Sequence, residues 1–349
     1  MSGVFEHSYL SGFFGDDEMS ACWSASRTIQ NMCVFESAWS RALGAAEMFD
    51  SAVAELTAQR IESAELDIED LHNGMARDGV VVPSLVAQLK EITGGDALHV
   101  GATSQDVIDT ALVLALRDTS DLIEKRLIHL GGELQQLENL FGDAPLTGRT
   151  RMQAATMITV ADRIQPWRIP LQSHLQRLEQ LRARVEKVQV GGASGDRADI
   201  AEHEEFIVTH VANALGLAPV ERAWHVMRDG IAEYASLLSL ISGTLGKMGQ
   251  DITLMAQQGI DEIELTGGGG SSAMPYKQNP VLAELLVTLA RFNSVQVAGM
   301  HQAMVHEQER SGVAWSLEWM ILPQMANATG RALTASIEVC NQVVRIGKK

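Results

Sequence analysis

Val107–Phe141 reads VIDTALVLALRDTSDLIEKRLIHLGGELQQLENLF, and this stretch decides the fold class. Ile123, Leu127, Leu130, Leu134, Leu137 and Phe141 recur at alternating steps of four and three, the seam of a helix that packs on other helices. A helix over the whole stretch is roughly 50 Å long at about 1.5 Å per residue. An apolar seam of that length needs partners, so a bundle follows.

Just upstream, His99-Val100-Gly101-Ala102-Thr103-Ser104-Gln105-Asp106 marks where this helix begins. Thr103 followed three residues later by Asp106 is a capping-box variant, with a carboxylate in the first turn to complement the helix dipole. The hydroxyls of Thr103 and Ser104 serve either as caps or, with the free N–H groups of the first turn, as a carboxylate site. Downstream, helical patterns run over Asp162–Val188, where Pro166 and Pro170 predict kinks, Glu202–Leu215, Trp224–Gln258, Pro280–His306 and, after Leu322-Pro323, Gln324–Ile346. Residues 1–100 read as a smaller helical domain: Met19–Ile61 with a break near Arg27, Ile61–Asp78, an extended link Gly79–Pro83, and a short helix capped by Ser84. Residues 101–349 form the long-helix domain. Asp70 and His72 read as surface residues.

Composition agrees with an all-α chain. It has 349 residues, 46% hydrophobic content, only 8 prolines and 5% aromatics. A net charge of −17 argues against nucleic acid or an anionic membrane as partner. An anionic substrate would therefore need a local cationic island. Cys22, Cys33 and Cys340 are too few and scattered for a disulfide framework or a Cys-rich metal site, which fits a reducing cytoplasm. No leader and no uncharged apolar run of membrane-spanning length is read. Motifs for metal or phosphate, such as H-E-x-x-H or G-x-x-x-x-G-K-[ST], are not found, and no cofactor is expected.

A second stretch carries chemistry: Gly267-Gly268-Gly269-Gly270-Ser271-Ser272-Ala273-Met274-Pro275-Tyr276-Lys277-Gln278-Asn279-Pro280. Four glycines predict a mobile loop that can approach a ligand closely. Hydroxyls, an ammonium and a carboxamide then follow in order, a plausible trap for an anion whose charge grows during reaction. A plain Gly-Ser linker has no use for that order.

This loop closely resembles the signature of the fumarase/aspartase superfamily. HVGATSQDVIDT resembles the first conserved region of that superfamily, and FGDDEM…FESAWSRALGAAE, GGASG at 191–195 and Trp224-His225-Val226-Met227-Arg228-Asp229 resemble its 3-carboxy-cis,cis-muconate cycloisomerase branch. The resemblance implies an all-α fold with a central five-helix bundle, and a homotetramer whose bundles associate into a 20-helix core. Active sites would lie at subunit corners, each built from three chains, acting on a small anionic di- or tricarboxylate. It carries the general base onto Ser271, with Ser272 and Met274 beside it, and carbanion stabilisation and carboxylate positioning onto Lys277 and Asn279. It also places His225 and Arg228 facing the cleft, Gln153 and Arg310 on substrate, and Thr103 and Ser104 on a carboxylate. For His225 a structural role, for Arg310 a surface salt bridge and for the glycine turn a simple helix stop are the alternatives.

Departures from the superfamily pattern are informative. Tyr276-Lys277-Gln278 replaces the usual His-Lys-Arg, and Arg151 stands in Gly148–Gln153 where the pattern commonly has a histidine acting on the leaving group. A lactonising enzyme closes its ring with a substrate carboxylate, which with a pKa near 4 needs a cation rather than an acid. Arginine supplies that and grips bidentately; alternatively Arg151 pairs with an acidic neighbour. The reading is a muconate cycloisomerase of protocatechuate degradation, against a lyase releasing fumarate from adenylosuccinate- or argininosuccinate-type adducts, or a non-catalytic helical structural protein. Related enzymes usually continue into a small C-terminal helical domain, so this chain reads as short.

Overall fold

The computed structural model describes residues 3–267, 269–270, 274 and 277–347. Its first part is a set of short helices: α1 (Ser11–Phe14), α2 (Asp17–Cys22), α3 (Ala25–Ala45), α4 (Ser51–Glu62), α5 (Ile68–Asp78) and α6 (Val82–Thr93). Several of their boundaries have a local cause. Asp16, Ser24, Asp50 and Asp67 accept backbone N–H groups at helix starts, and Gly79 and Gly94 end α5 and α6 at φ 70° and 92°. The break expected near Arg27 falls at Trp23-Ser24, and Ser63–Asp67 separates α4 from α5. Gly79–Pro83 is not an extended link throughout, because α6 already starts at Val82 with Pro83 in its first turn, where a missing N–H costs nothing.

The long helices follow. They are α7 (Ser104–Phe141), α8 (Val160–Val185), α10 (Asp229–Met255), α11 (Val281–Gln302) and α12 (Gly312–Gln342), with the shorter α9 (Glu204–Leu215) between α8 and α10. Among the described residues, four short strands make two antiparallel pairs: β1 (Pro145–Thr150) with β2 (Gln153–Thr159), and β3 (Ile263–Leu265) with β4 (Val343–Ile346). The predicted seam on α7 is buried from Ile123 to Leu137. α10 packs on α8, α11 and α12, while α7 packs on α3, α8 and α12, which makes the five-helix bundle.

Three boundaries of the long helices differ from the sequence reading. The last helix begins at Gly312 and passes through Pro323, because burial of Trp315, Leu322, Met325 and Ala326 around it outweighs the ~3 kcal/mol that an internal proline costs. Its predicted end, Val343–Ile346, is strand β4. Trp224–Arg228 does not open α10 but leads into it, since Trp224 N donates to Gln189 Oε1 at 2.9 Å and its indole to Val188 O at 2.9 Å. α8 is continuous across Pro166 and Pro170.

α7, α10 and α12 start together at one end of the bundle, where Arg228 joins Asp109 to Glu318. At the other end, Gly347 N donates to Glu262 O and Arg149 binds Glu262, which gathers the ends of α10 and α12 beside the β1–β2 hairpin. Between the two ends lie the 27 residues of α10, about 40 Å at 1.5 Å per residue. Among the described residues, α11 is the one helix long and apolar enough to cross a membrane. It carries Glu284 and Arg291 and packs on α10 and α12.

Candidate functional site

At the first end, the start of α7 is tied to two distant segments by one carboxylate. Asp106, fully buried, accepts from Thr103 N (3.1 Å), from Gly192 N (3.0 Å) and from His225 Nε2 (2.8 Å). Because the carboxylate only accepts, the histidine donates through Nε2, and Nδ1 is left buried with no partner among the described residues. Gly191 makes this possible. A Cβ there would lie 2.5 Å from His225 Cε1 and 2.7 Å from Ala223 Cβ. Gly191 is thus a steric requirement of the histidine's seat, and the turn is no helix stop, since α8 has already ended at Val185. Arg310 reaches over the same place, donating to Thr103 Oγ1 at 2.9 Å and to Ala193 O.

One helical turn further along α7, Asp109 organises a closed cage. It accepts from Arg228 Nη1 (2.7 Å) and Nη2 (3.1 Å), Trp315 Nε1 (3.0 Å), Gln105 (3.1 Å) and Gln189 (3.2 Å). Glu318 grips the other edge of Arg228 at 2.8 and 2.5 Å, and the guanidinium lies 4.8 Å from the Trp224 ring centre. Burial opposes the charge on Arg228, but the two carboxylates more than offset it and raise its pKa. Burial pushes Glu318 above the usual carboxylate range, with Arg228 pulling the other way. Arg228, expected to face a cleft and touch substrate, is buried in the single chain, where Nε, Nη1 and Nη2 all donate to Asp109 and Glu318. His225 likewise sits buried behind the glycine turn.

The other end is built differently. β1 and β2 meet in a two-residue turn in which Arg151 and Met152 both have positive φ, 50° and 67°, the left-handed pair that a tight hairpin demands. Arg149, two residues before the turn, anchors the tip end of the hairpin to buried Glu262 at 2.7 and 2.8 Å. Arg151, Met152 and Gln153 at the tip are exposed. Nearby, Gly269 and Asn279 exchange backbone hydrogen bonds at 3.0 Å, closing the stem of the glycine loop, and Lys277 N donates to Met274 O at 3.0 Å. A Cβ on Gly269 would lie 2.7 Å from Val281, so this glycine serves close packing. Ser271 and Ser272 lie outside the described residues.

One chain therefore brings together Thr103, Ser104, His225 and Arg310 at one end, and Arg151, Gln153, Lys277 and Asn279 at the other. It does not unite the two sets. Sequence reasoning missed two features. The hairpin was legible in the β-branched run Thr147, Thr150, Thr156, Ile158, Thr159. Asp106 was read as a cap, which it is, but not as the partner of His225.

Comparison with known proteins agrees with this architecture. A family model described as lyase matches residues 2–344. The 3-carboxy-cis,cis-muconate cycloisomerase of Pseudomonas aeruginosa is 36% identical over 97% of this chain and 75% of its own length. An N-acetyl-S-(2-succino)cysteine lyase of Dickeya dadantii is 33% identical over 89% of this chain and 70% of its own. The crystal structure of the 3-carboxy-cis,cis-muconate lactonizing enzyme from Pseudomonas putida superposes with a TM-score of 0.90 at 33% identity, covering 97% of this chain and 77% of that one. The chain belongs to this lyase family, the fumarase/aspartase superfamily, and is similar over nearly its whole length to the family's 3-carboxy-cis,cis-muconate cycloisomerases.

Proposed function

We propose that the protein is an enzyme that isomerises 3-carboxy-cis,cis-muconate, or a closely related 3-substituted anionic muconate, to the corresponding muconolactone. A carboxylate oxygen of the substrate forms a C–O bond across the conjugated double bond. The displaced electron pair passes into the adjacent carboxylate as an enediolate, and one proton taken up from Ser271 completes the new C–H bond. Lys277 and Asn279 would hold the enediolate, and Arg151 the carboxylate that closes the ring. The observation that carries this reading is Arg151: an arginine without a partner among the described residues, held on an exposed tip at the same end as Lys277 and Asn279.

Completion of the site calls for other copies of the chain. Stacking chains with opposite ends together would bring Thr103, Ser104 and Arg310 of one chain to Arg151 and Lys277 of another. Exposed apolar residues on the long helices, among them Leu140 (72%), Val295 (70%) and Met320 (66%), support a homotetramer that covers them. Free Cys22, Cys33 and Cys340 support a cytoplasmic setting.

A second reading is favoured by the similarity to a succinocysteine lyase: elimination of a thiolate from a succinyl thioether with release of fumarate. A thiol of pKa about 8.5 also leaves without a strong acid, so Arg151 tolerates it better than the loss of an amine. Incubating purified protein with 3-carboxy-cis,cis-muconate and following loss of diene absorbance separates the readings. Turnover that falls about 10²–10⁴-fold in Ser271→Ala is the expected result. No turnover of muconate, with fumarate appearing from N-acetyl-S-(2-succino)cysteine, would replace it by the second reading.

A further inference from the structure

Arg149, Arg151, Arg163 and Lys247 line one cavity of about 380 Å³ beside the hairpin, together with Asp251 and Glu262. Both carboxylates are already engaged. Glu262 accepts from Arg149, while Asp251 pairs with Lys247 and accepts from Trp167 Nε1 at 2.7 Å. Asp162, adjacent to Arg163 in sequence, spends its carboxylate on Thr159 N (2.9 Å) and Thr159 Oγ1 (2.8 Å) as the cap of α8. Two guanidiniums, Arg151 and Arg163, are thus left across one groove with no acidic partner among the described residues. In a chain of net charge −17 this is a local cationic surplus of the kind an anionic ligand needs.

The muconate reading uses Arg151 for the ring-closing carboxylate and Lys277 with Asn279 for the enediolate, while Arg310 comes with Thr103 and Ser104 from another chain, so that within this groove Arg163 is the cation beside Arg151 with no role assigned. We propose that Arg163, sharing the groove with Arg151, binds the carboxylate of the 3-substituent, and so sets the preference for a carboxylated over an unsubstituted muconate. The proposal rests on the muconate reading for its substrate, but the groove it describes can be tested without turnover. Arg163 is an intermediate, partly covered residue in the first turn of α8. The fork geometry of arginine matters, since it gives two parallel hydrogen bonds to one carboxylate.

The test compares wild type, Arg163→Gln and Arg163→Lys. With 3-carboxy-cis,cis-muconate, Arg163→Gln is expected to raise KM about tenfold or more with a smaller change in kcat, and Arg163→Lys to restore part of the loss. Calorimetry with tricarballylate and with glutarate, which differ by the central carboxylate alone, gives the second readout. Wild type is expected to prefer tricarballylate and Arg163→Gln to lose that preference. An active wild type whose KM is unchanged in Arg163→Gln overturns the proposal. If wild type turns over no muconate, the functional reading fails and calorimetry alone decides: a preference lost in Arg163→Gln upholds the groove, and equal or absent binding overturns it.

Discussion

The two ends of the bundle handle positive charge in opposite ways. At the Asp109 end, Arg228 is enclosed by Asp109, Glu318 and the face of Trp224, and its charge is consumed in joining the starts of α7, α10 and α12. At the hairpin end, Arg151 is held on a left-handed turn that most side chains avoid, exposed and with no acidic partner among the described residues. The lesson is that a family motif does not distinguish an arginine that builds the fold from one that meets a ligand, whereas burial and the count of carboxylates around it do. A cation already answered within its own chain has little left to offer a substrate.

The largest effect expected from this contrast concerns stability. Arg228→Met leaves Asp109 and Glu318 buried with no counter-charge and is expected to cost about 3–5 kcal/mol. Arg151→Met, at an exposed tip, is expected to stay within about 0.5 kcal/mol of wild type while losing activity. Urea midpoints for the two variants at one protein concentration measure the difference. Equal midpoints would mean that the cage around Arg228 does not hold the bundle end together.

A smaller effect sharpens the same point within the buried end. Gly191→Ala drives a Cβ into the ring of His225 and the side chain of Ala223, and overpacking of this kind costs about 1–3 kcal/mol. The imidazole must tilt away from Asp106, so the ring resonances of His225 in an NMR spectrum are expected to shift along with the loss of thermal stability. Unchanged resonances and stability would show that the turn yields and that the glycine is there for another reason.

What the sequence made legible follows from the range of the interactions involved. The seam from Ile123 to Leu137 and the Thr103–Asp106 cap depend on spacings of three and four residues, so periodicity reveals them. The cage does not, because Asp109 draws on Gln189, Arg228 and Trp315, which lie 80 to 206 positions away. Pro323 misled for the same reason: its local cost was visible, while the tertiary burial that overrides it was not. At the hairpin, Arg151 stood out only as a departure from a motif. Its left-handed backbone and its neighbour across the groove, Arg163, emerged only with the fold.

The smallest effect is a slope with pH, and it belongs to the buried end. His99, itself left-handed at φ 56°, has Nδ1 2.5 Å from Oε1 of fully buried Glu36. Burial works against a charged ring, but the hydrogen bond and charge of Glu36, with Asp106 more distant, outweigh it and hold the pKa above the usual 6.5. In the folded state the ring thus keeps its proton at a pH where the unfolded chain has released it. The stabilisation is complete below about pH 6.5 and fades as pH rises through the folded value. His99→Gln is therefore expected to flatten the decline of the urea midpoint above pH 6.5 and to lower the midpoint most at acidic pH. A variant that parallels wild type across that window would show that His99 is neutral in the fold, and that the Asp109 end has one cation fewer than its carboxylates call for.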